Sequence, residues 1–463
     1  MTTNSWKWTQ VLVLSVAIAA CGDDARPAPV TDAGVADASD GGGGLDLGRD
    51  AGAPDAGFDD GNDSFAEAVP VTLGAATAAM GTIGIVEDKD YFSFEAMADQ
   101  WIIITTTANA DDNDMLVDTV ITLYDSTMTQ VAENDDAVPR ISTDSEIIFH
   151  AVEAGTYYVM VQEFSDWENM MPEAHPMDTY ELDVAAVNIA ATGVTEDPET
   201  GNDAASAAPL EFFTGGGGLL VGKFEAATDV DVYTLTTTMP QIFQATFAPS
   251  FDTGYGSTTP PRSAWVTEMD GTTTIARISD LTMLNEVSPS LGIGTYLLWI
   301  DRAGGAVGTN DFYVTKVSLG MENLPEEQEA TNGVLTTPEL IPLTAPAGST
   351  GLRNGFVIAQ LSPTDTDYFA VDVLAGEQVA AACGAETSGS GLRGLSIALL
   401  DSTGTSLATA TETTADNGAL IPATTVTAPG TYIFRLTATG QDPVVMSSWV
   451  RCGFRAVIPA PAP

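Results

Sequence analysis

The chain has 463 residues and 64 Asp and Glu against 15 Lys and Arg, a formal charge of −49 at pH 7. A field of that sign repels nucleic acid and anionic headgroups, which excludes partners held through a basic surface. Length sets a prior of about three domains, and the two histidines, His150 and His175, are too few for a His-Glu-x-x-His zinc site.

Lys7 precedes the apolar run Val11-Leu12-Val13-Leu14-Ser15-Val16-Ala17-Ile18-Ala19-Ala20. Ten residues fall short of the roughly 20 that span a bilayer but suit the core of a signal peptide, predicted over 1–20. Ala19-Ala20 before Cys21 resembles the lipobox of bacterial lipoproteins, with Ile18 in place of the usual Leu. The resemblance implies that Cys21 opens the mature chain and carries a lipid that fixes it to a membrane. Gly22 is not the Asp that resembles an inner-membrane retention signal, so the expected location is the outer membrane or cell surface. Residues 21–60 are almost entirely Asp, Gly, Ala and Pro, including the run Gly41 to Gly44. Such a segment has too little apolar surface to order itself and reads as a flexible tether with a reach of roughly 35 Å.

Beyond the tether three landmarks recur in order. The first is an acidic turn feeding a strand: Asp88-Lys89-Asp90-Tyr91-Phe92, Asp229-Val230-Asp231-Val232-Tyr233 and Asp365-Thr366-Asp367-Tyr368-Phe369. The second is Leu123-Tyr124-Asp125, Glu268-Met269-Asp270-Gly271 and Leu400-Asp401-Ser402. The third is Gly155-Thr156-Tyr157, Gly294-Thr295-Tyr296 and Gly430-Thr431-Tyr432, lying 65, 63 and 63 residues after the second Asp of its turn. Recurrence at a fixed spacing predicts three copies of one domain, over 61–190, 196–319 and 322–457, with a tail at 458–463.

Alternation in Tyr91-Phe92-Ser93-Phe94-Glu95 and Tyr180-Glu181-Leu182-Asp183-Val184 predicts strands with one face buried. The apolar runs Trp101 to Ile104 and Tyr157 to Val161 predict central strands. No run of helical period reaches ten residues. The fold class is therefore all-β: three tandem jelly-roll-like antiparallel sandwiches joined by short connections with hinge freedom. Trp265, Trp299 and Trp449 sit in strand patterns and are expected in the core. Cys383 and Cys452 both fall in the third copy, and in an exported protein they are expected to form a disulfide between strands distant in sequence.

The ordered landmarks resemble the bacterial pre-peptidase C-terminal (PPC) domain family, with its opening Asn-Asp, Asp-x-Asp-Tyr-Phe, Leu-Tyr-Asp and Gly-Thr-Tyr-Tyr-Val strands. The first copy matches almost throughout, from Asn62-Asp63 to Gly155-Thr156-Tyr157-Tyr158-Val159, and the other two keep the Asp-x-Asp and Gly-Thr-Tyr elements. The resemblance implies a jelly-roll-like sandwich, of a kind appended to secreted enzymes or binding polymers such as collagen. It also implies calcium as a possible cofactor, with Asp60, Asn62, Asp63, Glu87 and Asp90 supplying hard oxygen ligands. Read without the resemblance, Asp88 and Asp90 equally suit side-chain caps of a turn.

Other chemistry is sparse. Gly217-Gly218-Leu219-Leu220-Val221-Gly222-Lys223 has phosphate-loop spacing, but Phe224 stands where Ser or Thr would hold magnesium and a β pattern follows. It reads as a glycine-rich turn. No Gly-x-Ser-x-Gly elbow occurs. The loop from Phe164 to Asp178, with Trp167 and His175 among acids, is the expected place for a ligand contact. The expected function is therefore non-catalytic. An envelope protein binds an extracellular protein or polysaccharide, or its domains act as spacers for a secreted enzyme or envelope complex.

Overall fold

The computed structural model describes residues 61–108, 117–135, 144–169, 178–197, 204–247, 255–258, 261–279, 281, 286–302, 308, 310–321, 327–328, 332–346, 351–412, 418–426 and 428–458. Cys21, Asp60, His175, the signal segment and the tether lie outside the described residues. The architecture is all-β and multi-sheet. Helical elements among the described residues include a single turn, Phe164–Trp167, and a 3-10 turn, Glu386–Ser388.

Period-two alternation explains the strands. In Asp90–Ala96 the residues Asp90, Phe92, Phe94 and Ala96 are buried while Tyr91, Ser93 and Glu95 point away. The two apolar runs are central, as their lack of alternation requires. Gln100–Ala108 lies between Thr179–Ala186 and Glu146–Ala151, and Gly155–Glu163 between Asp90–Ala96 and Thr119–Tyr124.

One strand order occurs three times. The first five-stranded sheet runs Val69–Pro70, Asp90–Ala96, Gly155–Glu163, Thr119–Tyr124, Gln130–Asn134. The second runs Ala208–Pro209, Val230–Thr237, Gly294–Arg302, Pro261–Glu268, Thr274–Ile278. The third runs Glu339–Leu340, Thr366–Val373, Gly430–Thr437, Ser396–Leu400, Ser406–Thr411. In each, a two-residue strand pairs parallel with the strand that opens on the acidic turn, and all other pairs are antiparallel. The hairpin aspartate closes the turn before the terminal strand. Asp125 accepts from the Thr127 and Thr129 amides, Asp270 from Thr272 and Thr273, and Asp401 from Thr403 and Thr405.

Each of these sheets has a companion. The first is Ala79–Thr82, Thr179–Ala186, Gln100–Ala108, Glu146–Ala151, and the third is Leu352–Gln360, Trp449–Val457, Gln378–Gly384, Ala419–Thr425. In the second, Gly217–Lys223, Phe312–Met321, Gln241–Phe247 and Glu286–Val287 gain an outer parallel strand, Val194–Glu196. The glycine-rich stretch expected as a turn is thus a strand, and the turn falls just before it. There Gly215 and Gly216 take φ of 119° and 92°, a region only glycine enters without strain. In the second segment one core joins both sheets, including Leu220, Phe243, Leu298 and Tyr313. In the third, Val357, Phe369, Phe434 and Phe454 do the same, and Cys383 and Cys452, paired across adjacent strands, form a disulfide within that core.

The described residues fall into two compact units, 61–186 and 187–458. Within the second unit the connection is not a free hinge. The Arg277 amide donates to the Gly389 carbonyl at 2.8 Å, the Ser288 amide to Ser388 at 3.1 Å and the Met446 amide to Thr274 at 2.9 Å. The Ser447 hydroxyl donates to the Ile275 carbonyl, and Arg451 Nη1 to Ser288 Oγ. The cause is the edge. Thr274–Ile278 ends its sheet, and its outward amides and carbonyls need partners.

Candidate functional site

The acidic turn of the first unit is assembled from four parts of the chain. Asn62 is buried, and its carbonyl takes the Tyr91 amide at 2.9 Å. Asp88 is buried, and its Oδ2 accepts from the Gly84 amide at 2.9 Å. Asp63 and Glu87 are exposed. Glu87 adopts φ 65°, and its amide donates to Asp166 Oδ2 at 2.7 Å across the chain. Burial pushes the Asp166 carboxyl above its usual range, and the nearby Glu163 and Glu87 carboxylates push the same way. Neither Glu163 nor Asp166 stood out in the sequence; the only signal was their place beside Trp167.

Asp90 is fully buried, and Tyr180 donates its hydroxyl to Asp90 Oδ2 at 2.5 Å. Tyr180 lies over Gly81, its cross-strand partner, where a Cβ would come 2.3 Å from the ring and 2.8 Å from Asp90 Oδ2. The second segment repeats the device. Gly222 pairs with Tyr313, a Cβ there would lie 2.3 Å from the ring, and the Tyr313 and Tyr233 hydroxyls are hydrogen bonded. Burial, then Asp197 and Asp231, raises Tyr233 well above the ordinary phenol value; burial, then Tyr233 and Asp231, does the same to Tyr313. Gly81 and Gly222 each lie nine residues before Asp90 and Asp231. Nine residues before Asp367 stands Ile358, opposite Arg451, so the third segment lacks this Gly-Tyr pair.

The structure therefore divides the expected ligand set. Asn62 and Asp90 serve buried bonds, while Asp63 and Glu87 face outward. Among the described residues no group of three or more His, Cys, Asp or Glu side chains is arranged to hold a metal ion.

Trp167 stands beside this turn. It closes the one-turn helix Phe164–Trp167, capped by Glu163 Oε2 accepting from the Ser165 amide at 2.6 Å. Its side chain is 37% exposed, and it touches Phe164 with ring centroids 5.7 Å apart. His150, by contrast, is buried in the strand Glu146–Ala151 with Nε2 2.9 Å from Asp99 Oδ1.

Two tryptophans expected in the core are not in it. Trp265 and Trp299 are half-buried cross-strand partners on the face away from the core residues Ala264, Val266, Leu298 and Ile300. Their rings stack 5.7 Å apart at 6°, with the Arg277 guanidinium 5.4 Å from the Trp265 ring. Both flanks of Trp265 are apolar, so alternation alone leaves its face undecided. Trp449 is buried, with Arg451 over its ring at 4.6 Å.

The fold defines a protein built of β-sheets whose buried acid and tyrosine groups brace the core. Residues 88–163 match the family described as bacterial pre-peptidase C-terminal domain, a non-catalytic module. The pre-peptidase C-terminal domain of a Bacillus anthracis collagenase is similar at 18% identity, over 25% of this chain and 93% of that one, with a TM-score of 0.19. A Eubacterium rectale protein is similar at 11% identity, over 56% and 81%, with a TM-score of 0.19. Tandem CBM51 modules of a family 98 glycoside hydrolase from Streptococcus pneumoniae are similar at 10% identity, over 50% and 81%, with a TM-score of 0.18. No curated protein matches the chain.

Proposed function

We propose that the chain is a lipid-anchored envelope protein with three tandem PPC-like sandwiches, which bind or adhere to an extracytoplasmic protein or polysaccharide. The anchor in this reading is a lipid on Cys21, the location is the outer membrane or cell surface, and residues 21–60 are the tether. The observation that carries the binding reading is the exposed Trp167, held against the acidic turn by the bond from the Glu87 amide to Asp166. A large, stiff aromatic ring on a braced surface turn is the kind of group on which binding surfaces concentrate their energy.

The test is retention of envelope polysaccharides and extracellular proteins on the immobilised chain, compared with Trp167→Ala, in calcium and in EDTA. Loss of retention in the variant supports the reading, and equal retention by both chains removes Trp167 from it. Retention that requires calcium assigns the exposed carboxylates Asp63 and Glu87 a bridging role. Retention in EDTA removes the ion from the reading. Mass spectrometry of the membrane fraction tests the anchor, and an unmodified Cys21 would refute it.

A second reading, spacer modules for a secreted enzyme or envelope complex, is favoured by the bonds that join the second and third segments. It is distinguished by unchanged retention in Trp167→Ala together with a rigid solution profile for residues 187–458.

A further inference from the structure

The three five-stranded sheets end on equivalent strands: Gln130–Asn134, Thr274–Ile278 and Ser406–Thr411. The cross-strand pairs Leu123 with Ala132, Val266 with Ala276 and Leu399 with Ala408 align them. That alignment sets Glu133, Arg277 and Thr409 at one position, and Val131, Ile275 and Leu407 at another. The three edges meet different fates. The first carries a carboxylate. The second is covered by an extended segment of the same chain, Val445 to Ser447, through the backbone of Thr274 and Ile275, and by the carbonyl of Gly389 on Arg277.

The third edge, Ser-Leu-Ala-Thr-Ala-Thr, carries no charge in a chain of formal charge −49. The Glu412 amide donates to the Leu395 carbonyl at 2.8 Å, which fixes the bonding phase between the two antiparallel strands. Ala408 and Ala410 fall in the bonded pairs, so the amides and carbonyls of Thr409 and Thr411 are directed away from the sheet. Ala408 and Ala410 pack on the core, while Leu407, Thr409 and Thr411 are exposed, Leu407 by 43%. Among the described residues no further strand pairs with Ser406–Thr411. The terminal strand of the facing sheet, Ala419–Thr425, is blunted by Pro422 and a register shift; this one has no such guard along Ser406–Thr411 after its opening bulge.

We propose that Ser406–Thr411 is a self-association edge, pairing antiparallel with the same strand of a second copy about a two-fold axis. Thr409 then faces Thr409 of the partner subunit, and Leu407 faces Thr411 of the partner subunit. Two chains of this charge repel, so a contact between copies is least opposed where no carboxylate falls opposite another. The equivalent pairing at Gln130–Asn134 would set two Glu133 side chains face to face. The interior precedent is the second segment, where the same edge of the same topology already accepts an extended chain. One strand pair is a small interface, so the dimer depends on concentration.

The test is sedimentation of the full chain over a concentration series, with amide hydrogen exchange at both ends of the series. The expected result is a monomer–dimer equilibrium in which exchange at Thr409 and Thr411 slows roughly tenfold once the dimer dominates. Thr409→Lys is expected to hold the chain monomeric, and Glu133→Lys, at the equivalent first edge, to leave the dimer intact. The proposal is overturned by a monomer at every concentration. It is equally overturned by a dimer that survives Thr409→Lys, or by protection that appears elsewhere. A monomer whose Thr409 and Thr411 amides become protected only by an added Ser/Thr/Ala-rich peptide would assign the edge to a foreign strand and overturn the second copy as occupant. Exchange on the natural chain decides the matter even if Thr409→Lys does not fold.

Discussion

The Tyr180 hydroxyl reaches across ninety residues of chain to Asp90 Oδ2 at 2.5 Å, over a position where only a glycine, Gly81, leaves room for the ring. The recurring acid is therefore a strut of the core in the first segment. Tyr180→Phe removes a donor from a carboxylate with no solvent exposure, and the expected loss is about 1–3 kcal/mol. Gly81→Ala sets a methyl group into the ring and is expected to cost a similar amount. Urea unfolding of each variant, followed by circular dichroism, checks both, and an unchanged midpoint would show that the bond carries no stability.

The Tyr233–Tyr313 pair makes the second segment sensitive to base. Burial raises both phenols well above their ordinary value of 10.0, so each holds its proton more tightly folded than unfolded. The stability this supplies is complete below pH of about 10 and is lost as pH rises from there toward the folded values. Absorbance of phenolate during an alkaline titration should show two tyrosines that ionise only as the segment unfolds. In Tyr313→Phe that step should shrink by one tyrosine. Two phenols titrating freely near pH 10 in the folded chain would contradict the buried pair.

The disulfide closes a sequence separation of 69 residues between neighbouring core strands of the third segment. A loop of that size restrains the unfolded chain by about 4 kcal/mol in the loop-entropy account. Reduction is expected to lower the calorimetric transition of residues 187–458, the unit that holds this segment, and to leave that of residues 61–186 unchanged. A transition indifferent to reductant would mean that the strand pairing alone suffices.

Arg451 is buried on the outer face of its strand, stacks on Trp449 and donates to Ser288 of the second segment. Arg451→Ala removes both contacts and is expected to cost about 1–3 kcal/mol, by exposing buried polar groups to the loss of a charged donor. It should also separate a single calorimetric transition for residues 187–458 into two. One cooperative transition in the variant would show that the backbone bonds at Arg277, Ser288 and Met446 suffice to couple the segments.

The amino-acid sequence alone determined the all-β architecture and the position of several strands, though not that of Gly217–Lys223, whose glycines read as a turn. Side-chain alternation and turn-forming aspartates act within a few residues, and so Asp90–Ala96, Gly155–Glu163 and the hairpin at Asp125 are legible from neighbours in the chain. The absence of charge along Ser406–Thr411 is equally a property of six adjacent residues, while its place at an edge comes from the strand order of the sheet. Tertiary structure decided what those residues meet. That Asp90 finds Tyr180, that Glu87 finds Asp166, that Trp265 and Trp299 turn outward and that Val445 covers Thr274 all depend on contacts between distant strands. A strand's periodicity says that its two faces differ, but which face is buried is settled only by the sheet that packs against it.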